Sequence, residues 1–155
     1  MQTYHFDDRN VSWQTVEFVG GQIYVLAVDE RLGFSDVLIR FQPNIPGKPH
    51  RRACDFSTFV LQGELRFWRP DGSLKEVRPT GSYVQVAANG EPHSEGAGDQ
   101  TAIVLFSFRG SAGDVILYLD KASNVEFRLG FPDFQAALTH QTATGATAKL
   151  GARVA

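Results

Sequence analysis

The 155-residue chain has a single cysteine, Cys54, which excludes an intramolecular disulfide and any zinc site built from several thiolates. It has no surplus of positive charge either. Fifteen Lys and Arg stand against 17 Asp and Glu, for a formal net charge of −2, and no run of basic residues concentrates them on one segment. Nucleic acid is therefore not an expected partner, because binding phosphates needs a dense basic footprint. Long apolar runs are also absent. None approaches the ~18 residues of a membrane-spanning helix, and the opening MQTYHFDDRN lacks the basic start and apolar middle of a signal peptide. The expectation is a soluble cytoplasmic protein with no membrane partner.

What the chain does have is 43% hydrophobic residues, enough at this length for one domain with a sizeable core and too little for two ordinary ones. Short runs rich in β-branched and aromatic residues alternate with Gly, Pro, Asp and Asn breaks, which is the punctuation of an all-β domain. The runs that read as strands are WQTVEF, QIYVLAVD, SDVLIRFQ, STFVLQGELRFW, SLKEVRP, SYVQVAA, TAIVLFSFR and DVILYLD. RPDGS, from Arg69 to Ser73, reads as a hairpin turn, with Pro70 setting its own φ and Gly72 free to take a positive one. Only PDFQAALTH argues for a helix. Phe131, Phe134 and Leu138 recur at roughly helical spacing with Asp133 in the first turn, predicting a short C-terminal helix that acts as a lid or outer cover. The small, polar residues 141–155 read as a loose tail, so the domain is expected to span residues 1–140.

Two loops bear histidines. In PGKPHRRACDF, His50 follows a Pro/Gly loop, and in an extended chain Arg52 points the same way as His50. In AANGEPHSEG, the Asn89-Gly90 pair marks a turn, His93 begins an extended segment and Glu95 shares its face. Ligands that converge inside a barrel mouth would be laid out in this way. On the strand after His50, parity places Phe56, Thr58 and Val60 toward the expected site, with Tyr83 and Gln85 on the strand leading to His93; the pocket would be mostly apolar, suited to a small aromatic or ketonic ligand.

These two segments resemble the paired motifs of the cupin barrel. The first cupin motif carries a His-x-His pair followed by a Glu and a Gly; the second carries a Gly, a short strand, Pro-x-Gly-x-x-His and then an Asn. Aligned on Gly63, this sequence keeps His50 but has Arg52 at the second histidine and Phe56 at the glutamate. In the second motif Gly81 opens the strand, His93 matches the histidine and Ala97 takes the asparagine position. The stretch from Ser12 to Leu138 is similar to the single-domain cupins grouped with 2,4'-dihydroxyacetophenone dioxygenase, acetylacetone-cleaving dioxygenase and ChrR-like cupins. The resemblance implies an all-β jelly-roll barrel with a divalent metal on His50 and His93, Fe(II) first, and oxygen-dependent cleavage of a carbon–carbon bond beside a ketone. Zn, Ni, Mn or no metal at all remain open as alternatives.

A catalytic first-row metal usually takes at least three protein ligands, and Arg52 cannot be one because a guanidinium does not give up its proton. Glu95 or Asp55 would complete a two-histidine, one-carboxylate set of the kind that suits non-heme iron. Arg52 would clamp a substrate carboxylate or enolate by parallel hydrogen bonds. The expected catalytic group is thus His50, Arg52 and His93. The blander readings are pocket histidines held by neighbours without metal, an ordinary ion pair for Arg52, and solvated carboxylates for Asp55 and Glu95. Cys54 reads as a small apolar filler, and His5 and His140 as surface residues. Two functional alternatives also stay open: a metal-free or zinc-dependent cyclase, isomerase or lyase using a pocket histidine as base, and a non-catalytic ligand-binding cupin. A homodimer is expected, with HFDDRNVSWQTVEF adding strands to a neighbour's sheet edge.

Overall fold

The computed structural model describes residues 5–110 and 113–143, so most of the expected tail lies outside the described residues. The elements run β1 (Gln14–Val16), a 3-10 turn (Glu17–Val19), β2 (Gly21–Asp29), β3 (Phe34–Phe41), β4 (His50–Arg52), β5 (Asp55–Gln62), β6 (Leu65–Trp68), β7 (Leu74–Arg78), β8 (Tyr83–Val86), β9 (Ser94–Ala97), β10 (Ala102–Arg109), β11 (Asp114–Leu119), β12 (Val125–Gly130) and α1 (Phe131–Ala143). One wall is a six-stranded sheet in the order β1-β2-β3-β10-β5-β8. The other joins β12-β11-β4 to β9-β6-β7 through an antiparallel bridge between His50 and His93. The architecture is the expected all-β barrel with one C-terminal helix.

Alternation explains which wall faces are inside. Along β10, Ala102, Val104, Phe106 and Phe108 are buried toward the interior; along β3 the same face carries Val37, Ile39 and Phe41, and along β5 Phe56, Thr58 and Val60. The rings of Phe106, Phe108 and Phe134 stack in sequence, which ties α1 to the barrel core. A second, smaller cluster lies on the outer face of the six-stranded sheet, where Val11 packs with Tyr24 and Leu38, flanked by Phe6 and Trp13. The N-terminal segment covers its own sheet, and β1 pairs with its own β2 over Gln14–Ile23, Thr15–Gln22 and Val16–Gly21.

Several boundaries differ from the sequence reading. STFVLQGELRFW is two strands, because Gly63 takes φ of 70° and brings its Cα close to the Thr101 carbonyl; a Cβ there would lie 2.5 Å from that oxygen. The chain turns there from one wall to the other. The RPDGS hairpin forms as expected, with Gly72 at φ 86° and the Asp71 carboxylate accepting the Ser73 N–H at 2.8 Å. Helix α1 continues past His140. Gln141 is fully buried, its amide accepting the Val25 N–H at 2.8 Å and donating to the Val25 carbonyl at 2.9 Å. No helix among the described residues is long and apolar enough to cross a membrane.

Candidate metal and ligand site

Strand β4 is only three residues long because Pro49 before it has no N–H to continue the ladder. Its alternation turns His50 and Arg52 into the barrel, 2% and 3% exposed, with Arg51 between them facing away. His50 and His93 exchange both backbone hydrogen bonds, at 2.8 and 2.9 Å, which sets the two histidines directly opposite one another. Two residues on, Glu95 shares the inward face of His93 and is 4% exposed. Its carbonyl accepts the Gly47 N–H at 2.9 Å, so the Pro/Gly loop before His50 is fastened to the strand that carries the carboxylate.

The imidazole centroids lie 4.7 Å apart at 75°. His50 Nδ1 sits 2.9 Å from the Lys48 carbonyl, which assigns the proton to Nδ1 and leaves Nε2 with a free lone pair. His50 Nε2 is 3.4 Å from Glu95 Oε1, and His93 Nε2 is 3.6 Å from Glu95 Oε2. Neither approach has hydrogen-bond geometry: both Nε2 atoms and Glu95 Oε2 are buried without a hydrogen-bond partner. Buried polar atoms are seldom left so. The donor atoms of His50, His93 and Glu95 all lie within 4.8 Å of one another. Two bonds of about 2.1 Å to one ion span about 4 Å, so sub-ångström side-chain shifts would seat a first-row cation. The residues present fit a metal.

Arg52 completes the cluster from its other side. Its Nη2 donates to Glu95 Oε1, while its Nε and Nη1 are buried without a hydrogen-bond partner. The guanidinium carbon lies 5.1 Å from the Phe56 ring centroid and 5.2 Å from those of Phe106 and Phe108, so three aromatic faces compensate part of its lost hydration. Burial alone would push the Glu95 carboxyl up, but the Arg52 guanidinium beside it outweighs burial and holds it well below the ordinary carboxylate range. Burial, reinforced by the Arg52 charge, pushes His50 below the usual histidine range. The cluster thus presents a neutral imidazole at His50 and an ionised carboxylate, the protonation states that metal binding requires.

The cluster stands between two cavities. One, of about 230 Å³, is lined by Phe67, Val84, Val86 and His93, with Lys75, Arg78 and Glu91 among its charged groups. The other, of about 250 Å³, lies under α1 and is lined by Phe18, Ile39, Ile116, Leu129, Phe134 and Ala137, with His50 and Glu95 at its inner end. Arg52 lines both. Tyr118 also reaches the α1-side cavity, its ring 5.4 Å from that of His50 and its hydroxyl pushed above the usual tyrosine range by burial.

The structure thus brings His50, Arg52, His93 and Glu95 together and leaves Asp55 out. Asp55 is exposed at the start of β5, where its carboxylate accepts the Ala88 N–H at 2.8 Å; parity turns it away from Phe56 and the site. Phe56, at the lost glutamate position, puts its ring against Arg52. Tyr83 and Gln85 are corrections as well: both are exposed, on the outer face of β8, and it is Val84 and Val86 that line the cavity. Cys54 is buried in the core with its thiol pushed up by burial, and His5 and His140 are exposed, away from the site. Sequence reasoning missed Arg78. It is 5% exposed, with its guanidinium 4.3 Å from the Phe67 centroid and Nη1 2.7 Å from Thr58 Oγ1. Its parity with Glu76, which it also pairs at 2.8 Å, was the available signal.

No family model and no curated protein matches the sequence. Solved structures do. An RmlC-like cupin protein from Ralstonia eutropha is 18% identical with a TM-score of 0.69, covering 94% of this chain and 90% of that one. An acetylacetone dioxygenase from Acinetobacter johnsonii is 14% identical with a TM-score of 0.68, covering 90% and 92%. A polyketide cyclase from Streptomyces resistomycificus is 23% identical with a TM-score of 0.53, covering 70% and 80%. Two facing walls, a histidine from each of two Gly/Pro-bounded segments turned into the interior, and likeness over nearly the whole length of such structures show that the chain has the cupin fold.

Proposed function

We propose that the chain is a metal-dependent, dioxygenase-like enzyme acting on a hydroxyketone, diketone or related aromatic ketone. The observation that carries this reading is the convergence of two buried histidine Nε2 atoms and one buried carboxylate oxygen, none with a hydrogen-bond partner. Two histidines and a carboxylate with open positions suit non-heme Fe(II), and two of the fold's relatives are named as acetylacetone dioxygenases. When bound, the ion would act as a Lewis acid toward an enolisable carbonyl and provide a site for oxygen.

The chain's own residues supply the rest. His50, His93 and Glu95 would hold the ion; the Lys48 carbonyl orients His50 through Nδ1. Arg52 holds one Glu95 oxygen in place and leaves Nε–H and Nη1–H groups for the negative charge of an enolate, in surroundings where aromatic rings exclude water. Arg52 also places a fixed positive charge beside the ion, so it would weaken metal affinity relative to a histidine at that position.

The test is metal content by mass spectrometry, with oxygen uptake on diketones and hydroxyketones, for the wild type, Glu95→Ala and Arg52→His. Substoichiometric iron in the wild type that is lost in Glu95→Ala and rises in Arg52→His, with oxygen uptake by the wild type, is expected. Wild-type protein that takes up no first-row metal from excess Fe(II), Mn(II), Ni(II) or Zn(II) would leave the histidines to metal-free chemistry and sink the proposal.

A further inference from the structure

The two cavities that meet at the cluster differ in kind. The one beside His93 is rimmed by charge: Lys75 and Glu91 approach at 3.6 Å, and Glu76 pairs with Arg78 at 2.8 Å. Such groups keep water, and an apolar ligand entering there would have to displace it. The cavity under α1 is walled by aliphatic and aromatic side chains. Apart from the cluster, its charged lining residue is Asp133, whose carboxylate is engaged by the Gly130 N–H at 2.7 Å. An apolar cavity of about 150 Å³ stays dry and takes up a benzene-sized guest, so one of about 250 Å³ has room for a ring with a short chain. At its inner end stands Arg52, whose side chain is 2% exposed and whose Nε and Nη1 are unpartnered.

We propose that this α1-side cavity is the ligand-body subsite: it takes the aryl or alkyl part of a monoanionic or enolisable ligand, whose negatively charged oxygen is anchored on the free N–H groups of Arg52. The opposite, charge-rimmed cavity is left for water and small co-reactants. The ligand class is therefore an amphipathic carboxylate or enolate with one apolar arm, and helix α1, through Phe134 and Ala137, sets the size of that arm. Seating the arm removes apolar surface from water without displacing bound polar groups, and the anion relieves the two buried donors of Arg52. This assignment deepens the proposed activity by treating the cluster as the reacting end, yet the binding half stands without a metal.

It is tested on chelator-treated, metal-free protein, so that failure of the metal chemistry and failure of the subsite are read separately. Calorimetric titration compares 4-phenylbutanoate, butanoate and 4-phenylbutan-1-ol. The phenyl acid should bind at least tenfold more tightly than either, since butanoate lacks the arm and the alcohol lacks the charge. Ala137→Phe, which fills the subsite from the helix, should weaken the phenyl acid at least tenfold, and Val84→Phe, in the opposite cavity, less than twofold. The wild type gives a reading independent of how the variants fold: ring protons of bound 4-phenylbutanoate should show nuclear Overhauser contacts to methyls of Ile39, Leu129 and Ala137, and none to Val84 or Val86. Contacts to the valines, equal affinity for acid and alcohol, or no binding of the phenyl acid by folded wild type would each overturn the assignment.

Discussion

His50 and Glu95 make the metal-free protein acid-sensitive, and the sign can be worked out for each. Both groups have folded-state proton affinities below their ordinary values, 6.5 for His50 and 4.5 for Glu95. A depressed pKa contributes stability that is complete above the unfolded value and is lost as pH falls through the folded one, because the unfolded chain takes up the proton first. Stability should therefore begin to fall just below pH 6.5, by up to about 1.4 kcal/mol per pH unit for one proton, and fall more steeply once carboxylates titrate. Urea unfolding of metal-free protein between pH 7.5 and 5 checks this; His50→Asn should flatten the upper part of the slope, and an unchanged slope would show that His50 is not the group responsible. At this scale the sequence was legible where spacing alone decides. His50, Arg52, His93 and Glu95 followed from i, i+2 parity beside Gly/Pro loops. The choice of Glu95 over Asp55 follows from the same parity, since Phe56 faces the site and its neighbour Asp55 therefore turns away.

At the scale of elements, the Gln141 amide takes the place of a strand. The pairing of β1 with β2 ends at Ile23, and β2 carries a bulge between Val25 and Ala27, so both Val25 backbone groups on that side lack a neighbour until Gln141 supplies one. Leaving two buried backbone groups unpaired costs about 1–3 kcal/mol each, so Gln141→Leu is expected to destabilise the protein by about 2 kcal/mol or more and to speed amide exchange at Val25. A Gln141→Leu protein as stable as the wild type would show that the helix is held by its apolar face alone. Nothing in QTATGATAKLGARVA distinguishes this glutamine from a solvated one; its role is created by a strand more than a hundred residues earlier. The long, alternating strands were readable because one face is buried. The three-residue β4 and four-residue β9 were not, since they hold few apolar residues and exist to present side chains. Tyr83 and Gln85 show the remaining weakness, in which a one-residue parity choice reverses a whole face.

For the molecule as a whole, strand order in the larger sheet sets a timetable. Strand β10 lies between β3 and β5, pairing Ala102–Arg109 with Phe34–Phe41 on one side and Asp55–Gln62 on the other. Until residue 109 has joined, β2–β3 and β5–β8 are separate pieces, each with a bare edge rich in Val, Ile and Phe. Contacts that span this much sequence close slowly, so refolding from urea is expected on the millisecond-to-second scale rather than in microseconds. Stopped-flow refolding followed by Trp68 and Trp13 fluorescence checks this, and a dominant microsecond phase would contradict it. His50 is held on β4 by pairing with β11, where it lies opposite Tyr118, so the first histidine of the cluster is fixed only when chain beyond β10 has also joined. The interval before that is when exposed edges can find other chains. Yield on expression should accordingly be governed by how fast one strand slots home, and substitutions in β10 should reduce soluble protein out of proportion to their effect on the stability of the finished barrel.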